Sequence, residues 1–62
     1  MQLPHNEEAE RYIIGSILID NELMENTLTH EDFYKLEHRF IYEAMESLYK
    51  SNKPIDPVTL MD

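Results

Sequence analysis

Leu3-Pro4-His5-Asn6-Glu7-Glu8-Ala9-Glu10, continued by Arg11-Tyr12-Ile13-Ile14-Gly15-Ser16-Ile17-Leu18, is written as a helix start. Pro4 keeps His5 and the approach to the helix extended. Asn6 can accept a hydrogen bond from the free amides of the first turn. Glu7, Glu8 and Glu10 place negative charge at the positive end of the helix dipole. The apolar block follows and extends to Ile19. Ala9, Tyr12, Ile13, Ser16 and Ile17 fall on one face at helical spacing, and Ile14 and Leu18 widen it, so a first helix over about 7–19 is expected to bury more than one side. Gly15 costs roughly 1 kcal/mol against alanine in a helix interior. The expected return is close approach by a neighbouring helix.

Working outward, Asp20-Asn21 reads as a turn that caps the next segment. A short second helix is expected over about 22–28, carrying Leu23, Met24 and Leu28. It is too short to stand alone and must dock on its neighbours. Thr29 to Tyr34 reads as a connector with room for one helical turn, Phe33 and Tyr34 plugging the gap between helices. A third helix is expected from Glu37 to Lys50 or Ser51, with Phe40, Ile41, Ala44, Met45 and Leu48 as its apolar stripe. Pro54 disfavours helix at Lys53 and ends it. Asp56-Pro57 then announces a further helix, a cap followed by proline at the first helical position. The sequence has no strand-like alternation and no repeats. It reads as an all-α single domain of three helices plus the start of a fourth.

At 62 residues a domain buries only about 60% of its unfolded surface and is marginal alone. No cysteine is present to cross-link it, which is compatible with a cytosolic setting. No apolar run approaches the roughly 20 residues that span a bilayer, and the N-terminus lacks the basic and apolar regions of a signal peptide. The net charge is −8, from 13 acidic and 5 basic residues. Neutralising phosphates needs clustered Lys and Arg, whereas Arg11, Lys35, Arg39, Lys50 and Lys53 are scattered. Neither nucleic acid nor an anionic membrane is expected as a direct partner. Basic protein surfaces are.

Catalytic chemistry finds no foothold. The single glycine, Gly15, rules out a Gly-rich phosphate or dinucleotide loop. There is no thiol nucleophile, and Ser16, Ser47 and Ser51 lie in ordinary helical contexts. His30, Glu31 and His38 could be imagined round a metal, but no HExxH-type spacing supports this. His38 reads better as a hydrogen-bonding residue that joins the Phe33-Tyr34 connector to the base of the third helix. Tyr34, Tyr42 and Tyr49 lack the surrounding cations of a base-stacking surface. Tyr42 and Tyr49, seven apart, share a helix face. That face is either a protein contact surface or one that further helices cover. The site residues expected to bind a partner are Tyr42, Glu43, Glu46 and Tyr49, with no catalytic, cofactor or metal residues.

Taken together, Leu3–Glu10, Ile14-Gly15-Ser16-Ile17-Leu18-Ile19-Asp20, Glu31-Asp32-Phe33-Tyr34, His38-Arg39-Phe40-Ile41-Tyr42-Glu43-Ala44-Met45, Pro54-Ile55-Asp56 and Val58-Thr59-Leu60 resemble the N-terminal domain of the bacterial and phage replicative DNA helicases, the DnaB family. The chain departs from the pattern with a shorter stretch between Asp20 and Glu31, and has Thr29-His30 where proline is common. The resemblance implies a small all-α head over residues 1–62, without the hairpin helices, linker and motor domain that follow in the family. It implies a non-catalytic assembly module in DNA replication, with ATP and magnesium belonging to the parent motor domain. Implied partners are the primase C-terminal domain, other subunits of a hexameric ring and the helicase loader, all in the cytoplasm. A free-standing mimic of the helicase head, regulating or inhibiting replisome assembly, is the alternative.

Overall fold

A computed structural model describes residues 6–61. The expected extension at Pro4 and His5 lies outside the described residues. Helix α1 spans Glu7–Ile19, with Asn6 in extended backbone accepting from the Glu8 and Ala9 amides. Two short 3₁₀ turns follow, Asn21–Met24 and His30–Asp32. Helix α2 spans Leu36–Lys50 and α3 spans Pro57–Met61. Asp56 caps α3: its carboxylate accepts from the Thr59 amide, and the Thr59 hydroxyl accepts from the Asp56 amide.

The expected second helix shrinks to its first turn. Asp20 does cap it, accepting from the Glu22 amide, but Asn26 stops it. The Asn26 side chain donates to the Leu23 carbonyl and accepts from the Leu28 amide at 2.7 Å. An asparagine that bonds local backbone in this way competes with the helical ladder. The connector forms the expected single turn at His30–Asp32, with the Asp32 carboxylate accepting from the Thr29 amide. Helix α2 closes on a left-handed residue, Asn52 at φ 57°. The Lys53 amide donates to the Leu48 carbonyl and the Asn52 amide to the Tyr49 carbonyl, which satisfies the orphan carbonyls of the last turn.

The core is Ile14 and Ile17 of α1, Met24, Phe33, Tyr42 and Met45 of α2, and Ile55 ahead of α3. The Phe33 and Tyr42 rings pack with centroids 4.7 Å apart. Phe33 fills the gap between helices as expected, while Tyr34 is exposed. Two parts of the α1 reading are corrected. Tyr12 lies on the solvent side of the helix, 76% exposed. Gly15 meets no packed neighbour among the described residues, since a Cβ there would have no atom beyond its own helix backbone within 4 Å.

The stripe expected of α2 holds at Met45 and Leu48, which are buried in or packed on the core, and is turned away at Phe40 and Ile41. The inward arc is His38, Tyr42 and Met45, with Tyr49 completing the i, i+4, i+7, i+11 row. Phe40 is 67% exposed, and Ile41 and Leu36 are exposed with it. Helix α2 is apolar on two sides, so hydrophobic spacing alone does not select which side is buried. The selection comes from a buried polar pair involving His38.

Candidate functional site

That pair begins with Glu10, which is completely buried. The first-turn glutamate at this position does more than answer the helix dipole. Its Oε2 accepts from the Tyr34 amide at 2.7 Å, and its Oε1 accepts from the Lys35 amide at 3.3 Å. His38 Nδ1 lies 2.8 Å from the same Oε1. A carboxylate only accepts, so this nitrogen carries the proton. Burial works against the Glu10 charge, yet the Tyr34 amide, the imidazole and the Lys35 amide outweigh it and hold the carboxyl below the usual value. One side chain therefore fixes α1, the connector and the base of α2. His38 joins connector to helix as expected, with Glu10 as the intermediary that spacing could not supply. Outside this pair, Lys35 Nζ sits 3.0 Å from Glu7 and 4.0 Å from Glu37.

A second anchor ties the far end. The Asn21 amide donates to the Ile17 and Ile55 carbonyls, and its oxygen accepts from the Ile55 amide at 2.8 Å. Both backbone polar groups of buried Ile55 are thus satisfied by one side chain. The sequence signalled Asn21 only as a turn residue.

The four residues expected to face a partner are divided by the structure. Tyr42 is corrected: it is fully buried on Phe33, with its hydroxyl donating to Asn26 Oδ1 at 3.3 Å. Burial pushes its phenol up from the ordinary value. Tyr49 is half-buried against the core, and its hydroxyl donates to Glu25 at 2.8 Å. Glu43 is exposed and Glu46 half-buried. These two do come together, on His30: Nδ1 lies 2.8 Å from Glu46 Oε1 and Nε2 3.4 Å from Glu43 Oε2. His30 and His38 thus have separate carboxylate partners, and among the described residues no three His, Cys, Asp or Glu side chains are grouped to hold a metal.

Beside Glu43 and Glu37 lies a surface that includes Phe40, Ile41 and Ala44 of the expected stripe and adds Leu36. At 100° per residue, Leu36, Phe40 and half-buried Ala44 fall within about 80° on the outward side of α2, between Glu43 and Glu37, and Ile41 stands past Glu37 at the border of the buried side; Leu36, Phe40 and Ile41 are large exposed apolar side chains. No pocket is formed among the described residues, and no helix of the structure is long and apolar enough to cross a membrane. What the arrangement offers is an amphipathic, acid-edged helix face.

Residues 2–62 match the family model described as DnaB-like helicase N terminal domain. The chain is similar to a probable replicative DNA helicase of Trieres chinensis, 48% identical over 61 residues, covering 94% of this chain and 13% of that protein. It is also similar to the replicative DNA helicase DnaB of Haemophilus influenzae, 38% identical over 61 residues (92% and 13%). That of Buchnera aphidicola subsp. Schizaphis graminum is 36% identical over 62 residues (95% and 13%). The chain spans about 13% of the length of these relatives. No solved structure matches it.

Proposed function

The chain belongs to the family of DnaB-like helicase N-terminal domains, a module of replicative DNA helicases, and from that membership we propose that it serves as an assembly and partner-docking head, non-catalytic by itself. The observation that carries this reading is the outward side of α2, where Leu36 and Phe40 stand exposed between Glu43 and Glu37, with Ile41 at its border. Burying an exposed phenylalanine or leucine contributes about 1.5–3 kcal/mol per side chain, enough for a few residues to anchor an interface. The net charge of −8 favours partners that bring basic side chains and disfavours DNA and anionic lipid. The primase C-terminal domain is the first partner proposed, with other helicase subunits and the loader after it. ATP and magnesium belong to the parent protein's motor domain, and the setting is the cytoplasm.

The experiment is an NMR titration of the isotope-labelled chain with the helicase-binding C-terminal domain of a cognate primase. The expected result is a dispersed spectrum in which Leu36, Phe40, Ile41 and Glu43 shift, and a Phe40→Ala variant that stays folded but binds at least about tenfold more weakly. A folded chain whose α2 signals do not move overturns the docking face.

A further inference from the structure

His30 makes an unusual demand on its own protonation. A neutral imidazole has one N–H and one lone pair. Here each ring nitrogen faces a different carboxylate, Nδ1 on Glu46 at 2.8 Å and Nε2 on Glu43 at 3.4 Å. A lone pair aimed at a carboxylate oxygen is repelled, so the geometry asks for the doubly protonated ring. Among the described residues neither cation of α2 pairs with these two glutamates in place of the ring: Arg39 donates to the Phe33 carbonyl and Lys50, in the last turn, makes no ion pair with either. On its own turn His30 has only Glu31 and Asp32 as charged neighbours, and Asp32 is directed to the Thr29 amide. Among the described residues both ion-pair partners of the ring are therefore acidic.

We propose that His30, as imidazolium, is the built-in counter-cation of Glu43 and Glu46, a proton-linked clamp between the 30–32 turn and α2 that competes with a partner's cationic side chains for the same carboxylates. The competition rests on the docking reading above; the clamp stands on the ring geometry alone. The hydrogen bond from Glu46 is the largest influence and raises the His30 pKa above the ordinary 6.5, burial opposes it, and the charges of Glu46, Glu43 and Glu31 add to the rise. The clamp is therefore complete below the ordinary value and is lost as pH rises through the higher folded-state value. Proton loss leaves Glu43 and Glu46 uncompensated, so a cationic partner gains what the clamp gives up. By linkage, docking of that partner should lower the His30 pKa in return.

Ring 1H–15N spectra of the full chain, followed from about pH 5 to about pH 9, test the clamp without any partner. The expected result is a His30 midpoint above the ordinary value, brought down by Glu46→Gln and by a smaller step with Glu43→Gln. A midpoint at or below the ordinary value overturns the clamp. A lysine-flanked amphipathic helical peptide then probes the competition. Its expected dissociation constant falls several-fold across the His30 midpoint in the wild-type chain and stays flat in His30→Asn. Equal pH dependence in both chains overturns the competition. Absence of peptide binding at every pH overturns the docking reading, and a raised midpoint in the same sample upholds the clamp.

Discussion

At the scale of single residues the fold is governed by Glu10. Its buried carboxylate gathers the Tyr34 and Lys35 amides and the His38 imidazole, so truncating it strands three polar groups at once. Leaving a buried polar group without its partner costs about 1–3 kcal/mol, so stranding these groups is comparable with the entire stability of a domain this small. Glu10→Ala is therefore expected to leave the chain unfolded at neutral pH by circular dichroism. Because the Glu10 carboxyl is held below its ordinary value of 4.5, its contribution is complete above that value. It is lost as pH falls through the lower folded-state value. Glu10→Gln should start less stable and show a flatter acid limb in melts between about pH 5 and about pH 2. An acid limb unchanged by the substitution would show that other carboxylates control acid unfolding. A paired comparison separates the two sides of α2. Tyr42→Ala removes a fully buried ring and is expected to cost about 3–5 kcal/mol, whereas Phe40→Ala at 67% exposure should move the melting temperature little. Denaturant melts giving equal losses would refute the rotation of α2 seen here.

At the scale of elements, the parts legible in the sequence are those with local causes. The bounds of α1 follow from the Asn6 cap and the acidic first turn, and they hold at both ends. The Asp56-Pro57 start of α3 and the single turn before Phe33 are equally local and equally present. What pattern reading missed depends on partners distant in sequence. The rotation of α2 is set by Glu10, 28 residues from His38, and a helix apolar on two sides carries no internal signal of which side is buried. The second helix failed because Asn26 folded its side chain back onto local backbone, a choice that propensity sums do not register. Of the four residues expected to bind a partner, Glu43 and Glu46 meet on His30, while Tyr42 is in the core. Gly15 is expected to admit a neighbouring helix, yet its open surroundings among the described residues make a direct prediction. A helix-interior Gly→Ala change stabilises by about 1 kcal/mol where nothing clashes, a rise of roughly 4–8 °C in a domain of this size. Gly15→Ala should therefore melt higher in calorimetry. A lower melting temperature would show that the space round Gly15 is not open in the folded chain.

At the scale of the whole molecule, two opposed properties share one small surface. The outward side of α2 exposes Leu36 and Phe40, with Ile41 at its border, and apolar side chains grouped in this way favour association. The net charge of −8 over 62 residues opposes contact between two copies, because each approach brings like charges together. Ionic strength decides which prevails. At about 0.01 M salt the screening length is about 30 Å, while at about 1 M it is about 3 Å. The longer value exceeds the 29 Å longest dimension of the molecule, so at low salt each copy meets the full field of the other. At high salt only contact charges matter, and the apolar arc is free to pair. Light scattering is therefore expected to report separate chains at low salt and self-association at high salt, with Phe40→Ser abolishing the salt-induced growth. Association of the wild-type chain already at low salt would mean that charge does not guard the α2 face. A cationic partner should show the reverse dependence, binding best at low salt. The sign of the salt effect thus distinguishes a docking partner from a second copy of this chain on the same helix face.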